Sequence, residues 1–331
     1  MTISELAPRA NSALPPVDDA HPHLRALVQA ARERGPARVA VAYPCDAASL
    51  GAAVQARQAG LITPLLVGPA ARIQAVAQAE GLDLTGIELH DTPDQPRVTA
   101  ARAAALCSEG QAAVLMKGSL HSDDLLGAAV ARDAGLRGAR RASHVFVMDV
   151  PGYSRPLLLT DCVVNIAPTL LEKRDIAQNA IDLARAIGIE LPHVAILSAM
   201  ETVNLAIPGT LDAAALCKMA ERGQITGGVL DGPLALDNAI SAESARNKGI
   251  TSAVAGRPDV LLMPGLETGN VAYKLLVYLA GAQCAGLVLG MRVPIVLTSR
   301  SDSVASRIAS CALAVLMSAG ADQKASQGKA V

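Results

Sequence analysis

Aromatic side chains are nearly absent: they make up 2% of the 331 residues, with no Trp and Phe146 as the one Phe. Base stacking, which single-strand nucleic-acid binders rely on, therefore has almost nothing to work with. The core must be Ala, Val, Leu and Ile, as in helices packed closely on a sheet. Charge of one sign is lacking too. The 29 basic and 30 acidic residues leave a net charge of −1, so no overall field favours a polyanion such as DNA. Nucleic acid is not an expected partner. A cofactor with a few phosphates needs only a local basic patch. Of the basic residues 22 are Arg, whose fork suits bidentate phosphate contact.

Paired cysteine spacing is also missing. Cys45, Cys107, Cys162, Cys217, Cys284 and Cys311 form no CxxC, which fits a reducing compartment with unpaired thiols. The longest apolar runs, such as Val260–Pro264 and Ala285–Gly290, have strand length and cannot span a membrane. The polar N-terminus with its early acids does not read as a secretory signal, so a cytoplasmic location is expected. There is no GxxxxGK[ST] loop, no GxGxxG followed by an acid, and no HExxH or GxSxG. Kinase-type, metallopeptidase and hydrolase readings lose their support, and no metal site is expected.

The length allows two domains, and 51% hydrophobic residues can bury a core without staples. Residues 1–20 read as a loose tail. After a helix over His23–Glu33, short β-rich runs alternate with helical patterns to the end of the chain. The strands are ARVAVAYP, LITPLLVG, IELHD, AAVLMKG, SHVFVMDVP, LLLTDCVVN, HVAILSAM, ITGGVLDGP, DVLLMPG, AGLVLG and MRVPIVLTS. The alternation predicts α/β architecture with mainly parallel sheets flanked by helices. The adjacent runs SHVFVMDVP and LLLTDCVVN point to one connection that is not a simple crossover. PGYSRP marks a domain break near residues 150–156.

In parallel α/β sheets the functional loops follow the carboxyl ends of strands. After AAVLM comes Lys117, the first polar residue beyond a buried strand. Gly118 allows close backbone approach, and Ser119, His121 and Ser122 are donors at a helix N-terminus, with Ser122 as the expected cap. Asp161 and Asn165 bracket the apolar CVV. Ser198 follows HVAIL. Asp231 opens DGP, read as a tight turn at a strand end. LETGN supplies Glu267 and Asn270, read as a strand-to-helix turn, with Lys274 one helical turn further on. The last turn, Thr298-Ser299-Arg300-Ser301-Asp302-Ser303, is the most unusual. Hydroxyls and a carboxylate surround one Arg, and Asp302 or Ser303 should cap the final helix.

At these segments the chain resembles the phosphate acetyltransferase and phosphate butyryltransferase family. The matching stretches are VLMKGSLHSDDLL, ASHVFVMDVP, LTDCVVNIAPTL, ITGGVLDGPLALDNAIS, LLMPGLETGNVAYKLL and MRVPIVLTSRSDS, spread over about Ala37 to Met317. The resemblance implies two α/β domains, similar to the isocitrate and isopropylmalate dehydrogenase fold, with the active cleft between them. Residues 21–150 plus 291–331 would form the first domain and 151–290 the second, in a homodimer. It implies reversible transfer of a short acyl group, acetyl first, between coenzyme A and inorganic phosphate. Acyl-CoA would be a substrate, and no cofactor would be tightly bound. Ser299 and Arg300 match the family's reacting-site pair. Where its acetyltransferases carry a later Asp, this chain has Ser306 and Arg307, which leaves Asp302 as the nearby carboxylate to polarise the CoA thiol, with Asp231 and Glu267 as alternatives.

The chemistry of the residues agrees with that implication. A thiol near pKa ~8.5 needs help to become a thiolate. Ser299, Ser303 or backbone N–H donors at the carbonyl oxygen could lower the barrier by roughly 3–4 kcal/mol for one good donor. Arg300 and the KGS turn are candidates to hold phosphate. Arg132, Arg137, Arg140 and Arg141 are candidates for the CoA phosphates by clustering alone. Cys162 is a weak nucleophile candidate, because no covalent intermediate is required. Three rivals stand beside this reading: a phosphate butyryltransferase for longer or branched acyl groups, a two-domain NAD(P)-dependent dehydrogenase, and a non-catalytic acyl-CoA sensor.

Overall fold

The computed structural model describes residues 20–298 and 302–327. Its elements follow the alternation in the sequence. The first half contains α1 (Pro22–Arg34), β1 (Ala37–Ala42), α2 (Ala47–Gln58), β2 (Ile62–Gly68), α3 (Ala70–Glu80), β3 (Glu88–Asp91), α4 (Pro96–Ser108), β4 (Val114–Lys117) and α5 (Ser122–Val130). The middle contains β5 (Ser143–Asp149), β6 (Leu157–Thr160), α6 (Leu170–Ala186), β7 (His193–Leu197), α7 (Pro208–Glu221), β8 (Val229–Leu234), α8 (Leu236–Ile240), α9 (Ala242–Asn247), β9 (Val260–Leu262) and α10 (Leu266–Leu279). The chain closes with β10 (Gln283–Leu289), β11 (Ile295–Val296) and α11 (Val304–Gln327). Among the described residues no helix is long and apolar enough to cross a membrane.

All the described strands join one mixed sheet in the order β3-β2-β1-β4-β11-β10-β5-β6-β9-β7-β8. Strands β3, β2, β1, β4 and β11 run parallel, and so do β6, β9, β7 and β8. Between these blocks the β11–β10, β10–β5 and β5–β6 ladders are antiparallel. Three reversals leave β6 pointing opposite to β4. The carboxyl ends of β1, β4, β11 and β5 therefore lie along one sheet edge, and those of β6, β7, β8 and β9 along the other. The β5–β6 hairpin is the non-crossover connection expected from sequence.

The core is aliphatic, as the lack of aromatics requires. Strand β1 is buried from Val39 to Ala42, and β4 is buried throughout. Helix α11 packs against α1, α2 and β10, which ties the C-terminal segment to the first half of the chain.

Several local expectations change. The strand at LLLT stops at Thr160, and the following DCVVN is a turn. DGP lies inside β8 rather than at its end. Pro233 is tolerated there because β8 is an edge strand of the sheet and needs no donor on its outer side. The expected helix over NAISAESARNKG is two short helices, with the Ser241 hydroxyl accepting from the Ser244 N–H to start the second. LETGN is the first turn of α10 rather than a loop. His121, not Ser122, occupies the N-cap of α5, and its side chain makes no capping bond.

One close approach holds the β1 and β4 ends together. The Gly118 N–H donates to Ala42 O at 2.8 Å, and the Ser119 N–H donates to Tyr43 O at 2.8 Å. A Cβ on Gly118 would stand 2.3 Å from Ala42 O and 2.4 Å from Tyr43 O. Gly118→Ala should therefore cost about 1–3 kcal/mol by pushing the β4 loop off β1. Urea unfolding of the two proteins measures this, and an unchanged midpoint would show that the loop can shift freely.

Candidate active site

Chain order makes a crevice at the β1 end. The chain moves outward from β1 to β2 and β3, then returns to place β4 on the other side of β1. Such a switch point opens a cleft beyond the carboxyl ends of the two strands. Three connections meet there: the loop after β1, the Gly118–His121 turn after β4, and the segment after β11. A hollow at this place is lined by Asp46, Ser49, Lys117, Gly118, Thr298 and Arg307, among others.

Each lining residue has a local reason to be there. Asp46 caps α2, its carboxylate accepting from the Ser49 N–H and Ser49 hydroxyl, both at 2.7 Å. Lys117 ends the buried strand β4 and is 7% exposed, with Nζ donating to Thr298 O at 3.3 Å and Gly118 O at 3.4 Å. That contact brings Thr298 onto Lys117. The Ser119 hydroxyl donates to Tyr43 O at 2.9 Å and accepts from the Cys45 N–H at 3.3 Å. Tyr43 itself is held at φ 57°, a left-handed pose unusual for a large side chain. Its ring is fixed by Asp94 and by Arg72, whose guanidinium donates to the Tyr43 hydroxyl at 2.6 Å.

Of the residues singled out from sequence, Lys117, Gly118 and Ser119 come together at this edge, with His121 exposed beside them. Ser299 and Arg300 lie outside the described residues. Asp302 is half-buried, and its negative charge contributes to raising the pKa of both Tyr273 and Cys284, after burial as the main cause. Ser303 caps α11, its hydroxyl accepting from the Ser306 N–H at 3.1 Å. Arg307, which the sequence marks only as a departure from the family pattern, is at this edge too. It is 7% exposed and faces the hollow from the first turn of α11.

The other singled-out residues sit elsewhere. Asp161 is buried, and its carboxylate accepts from the backbone N–H groups of His144, Val163, Val164 and Asn165 and from the Asn165 amide. It organises the turn after β6. The same Asn165 accepts from Arg141 Nε at 2.8 Å. Asn270 donates to Cys162 O at 3.1 Å and holds α10 against that turn. Ser198 follows β7, Asp231 accepts from its neighbour Gly232 N–H, and Glu267 is exposed in the first turn of α10. Apart from Asp231, which lies inside β8, these belong to the carboxyl edge of the β6–β9–β7–β8 block. Lys274 is exposed on α10, its Nζ 5.9 Å from the Tyr273 ring.

The arginine cluster is engaged away from the hollow. Arg140 pairs with Asp182 at 2.7 Å, Arg141 pairs with Glu172 at 3.3 Å, and Arg137 donates to Val130 O. Arg132 is exposed just past α5. Every cysteine is a free thiol. Burial pushes Cys45 up to about 11 and Cys107, Cys217, Cys284 and Cys311 up to about 12, and raises Cys162 as well. Thiols held so far toward the neutral form are poor nucleophiles.

His144 marks the far edge. Its ring packs at a tilt of 59° against Phe146, with centroids 4.3 Å apart, and its buried Nδ1 has no hydrogen-bond partner. Burial pushes its pKa down to about 4, against the opposing pull of the Asp161 charge. Unfolded, the same group takes a proton near pH ~6.5. Its contribution to stability is thus complete above that pH and is lost as pH falls toward about 4. The urea midpoint of the wild type should drop more steeply between these limits than that of His144→Gln. Parallel profiles would show that the folded protein carries a protonated His144.

Comparison with known proteins places this geometry. Residues 97–315 match the family model described as phosphate acetyl/butaryl transferase. A phosphate acetyltransferase of Rhizobium meliloti is 58% identical over 293 residues, covering 88% of this chain and 92% of that protein. A phosphate butyryltransferase of Clostridium acetobutylicum is 43% identical over 280 residues, 85% of this chain and 93% of the relative. Among solved structures, a branched-chain phosphotransacylase from Enterococcus faecalis V583 superposes with a TM-score of 0.74 at 28% identity, covering 85% of this chain and 99% of the other. The chain with the Lys117 hollow belongs to the phosphate acetyltransferase and butyryltransferase family.

Proposed function

We propose that this chain transfers a short acyl group, acetyl first, between coenzyme A and inorganic phosphate. The observation that carries the reading is the contact of buried Lys117 with Thr298. It sets Thr298, the residue that precedes Ser299 and Arg300 in sequence, against a buried cation at a switch-point crevice. The high identity to a phosphate acetyltransferase supports acetyl as the group moved. The butyryltransferase relative keeps a longer acyl group as the second reading.

The reaction follows from the groups at this edge. A phosphate oxygen attacks the thioester carbonyl carbon. The carbonyl oxygen becomes negative, and Ser299, Ser303 or backbone N–H donors stabilise it. When the C–S bond breaks, the electron pair leaves with sulfur, giving CoA thiolate and acyl phosphate. In the reverse direction Asp302 takes the thiol proton before sulfur attacks acyl phosphate. Arg300 and Lys117 hold phosphate beside the carbonyl, and Ser119 fixes the turn that follows Lys117. Holding the two reactants together offsets several kcal/mol of association entropy, on the order of 7 for well-placed pairs. Asp161, Asn165, Ser198, Asp231, Glu267, Asn270 and the arginines 132–141 stand outside this proposed centre, because they lie at other parts of the sheet.

The free, mostly buried thiols fit a reducing, cytoplasmic setting. Residues 21–150 with 291–331 would form one lobe and 151–290 the other. A homodimer would cover the apolar outer face of α10, where Val271, Leu275, Tyr278 and Leu279 are exposed. Sedimentation should give twice the chain mass, and a single-chain mass at micromolar concentration would remove the dimer.

The activity is tested by following thiol release from acetyl-, propionyl- and butyryl-CoA with and without phosphate. Phosphate-dependent release, fastest with acetyl-CoA, is expected. A butyryl preference would move the protein to the second reading, and no release with any of the three would end both. Arg300→Gln should lower kcat by about 10²–10³, the scale of losing one stabilising donor, while leaving the melting temperature unchanged.

A further inference from the structure

We propose that the alkyl chain of the acyl group lies in a recess over the sheet beside Phe146 and Tyr273, and that these two rings set the length of chain accepted. This rests on the acyl-transfer reading above. It adds specificity residues from β5 and α10, outside the polar turns.

The sheet opens next to the last turn. Strand β11 is two residues long and, among the described residues, meets β10 at a single register pair, Val288 with Ile295. Strand β10 nevertheless stays paired with β5 as far back as Gln283, opposite Asp149. On its other side the Gly286 N–H donates to the Ser310 hydroxyl of α11 at 3.0 Å rather than to a strand carbonyl. The two halves of the sheet thus part between β11 and β10, at the edge from which Thr298 leaves.

Beside this parting the surface of the sheet is uneven. Opposite residues of an antiparallel pair share a face, so Phe146 and Gly286 lie on one face with His144, Met148 and Cys284. Gly286 contributes no side chain, and the rings of His144 and Phe146 lean over it. A Cβ there would stand 2.7 Å from His144 Cε1 and 3.0 Å from Phe146 Cδ1. His144 and Met148, which flank Phe146 on this face, are 1% and 0% exposed. Phe146 between them is only half-buried, although β5 is an interior strand with β10 and β6 at its sides. A large ring left open between covered neighbours marks a recess in the layer above the sheet.

Tyr273 walls that recess. From α10 it packs on Phe146 with ring centroids 4.4 Å apart, and it too is half-buried. The chain has four Tyr and one Phe, and two of these five rings meet here. An aromatic ring turns about two bonds and holds its shape, where a Met would yield, so the pair gives the recess a firm boundary. The recess also borders the reacting groups. The Ser306 hydroxyl hydrogen-bonds the Cys284 thiol, and the charge of Asp302 helps to raise the pKa of both Cys284 and Tyr273, after burial as the main cause. A carbonyl held at the start of α11 therefore sends its alkyl chain past Cys284 toward the two rings. The negative charge of Asp302 disfavours an acyl group that ends in a carboxylate, so the recess suits an uncharged chain.

The test compares kcat/KM for acetyl- and butyryl-CoA at saturating phosphate in the wild type, Tyr273→Ala, Tyr273→Phe and Phe146→Leu. One methylene more or less in an apolar pocket is worth about 10–200-fold. Tyr273→Ala should raise the butyryl-to-acetyl ratio by about tenfold or more, and Phe146→Leu should move it the same way. Tyr273→Phe keeps the ring and should keep the wild-type ratio. The KM for phosphate should stay near the wild-type value throughout, which a general loosening of the site would not allow. A wild-type ratio in folded, active Tyr273→Ala overturns the proposal and leaves acyl transfer standing. If Tyr273→Ala does not fold, Phe146→Leu is read by the same criterion. Calorimetric titration of acetyl-CoA and butyryl-CoA without phosphate needs no turnover. A gain in butyryl-CoA over acetyl-CoA affinity in Tyr273→Ala, in a protein that releases no thiol, would uphold the recess and remove the acyl-transfer reading.

Discussion

The parallel pairing of β1 with β4, and of β4 with β11, is the constraint on which the site depends. It places three strand ends side by side, so three short connections share one crevice. The pairing is finished at its end by backbone alone. Ala42 O and Tyr43 O accept the N–H groups of Gly118 and Ser119, at a distance that leaves no room for a side chain on Gly118. Lys117 is the last strand residue before that contact. Its head group can reach Thr298 O only because β11 lies next to β4. Remove the close backbone approach, and the lysine, the serine and the last turn lose their common reference.

The electrostatic character of the crevice follows from where the helices begin. In a parallel block each helix starts at the carboxyl edge, so its positive end faces the ligand. Helices α2, α5 and α11 all start at this edge. The fold thus supplies positive potential before any side chain is chosen, and Lys117 and Arg307 deepen it. A thioester that must accept a dianionic nucleophile needs such a field, since phosphate and a nascent oxyanion repel one another when they approach unaided. The raised thiol pKa values point the same way. No cysteine is poised to attack, so direct transfer between bound reactants fits better than a covalent relay.

Much of this was legible in the sequence, for reasons that can be named. The alternation of apolar runs with helical patterns identified the strands, because buried parallel strands leave little room for polar residues. Lys117-Gly118-Ser119 stood out as polar residues and a glycine at a strand end. Asp161 stood out by the same rule but folds inward, since a carboxylate ringed by backbone N–H groups looks identical in sequence to one facing a substrate. Asp231 was misplaced because DGP is a strong turn signal, and only the edge position of β8 lets it continue as a strand. Arg307 was missed because nothing in SVASRIAS separates a buried arginine from a solvated one. Its signal, a cation in the first turn of an otherwise apolar helix, is visible only once the buried face of α11 is known.

The least legible feature is also the most consequential. Sequence alternation says that strands follow helices, but it does not give strand direction across a sheet. Strands β10 and β5 enter antiparallel and turn the second parallel block around. Polar turns that look equivalent along the chain are thereby divided between two edges. Lys117, Thr298, Asp302 and Arg307 fall on one, while Asp161, Ser198 and Glu267 fall on the other. The rule that function lies beyond strand carboxyl ends remains sound within each block. It fails when applied to the chain as a whole, because two edges of one sheet then count as one. The division also gives the second block a physical task of its own: Asp161 fastens the turn after β6 to β5, and Asn270 holds α10 against the same turn, which braces β5 and, through it, the neighbouring β10.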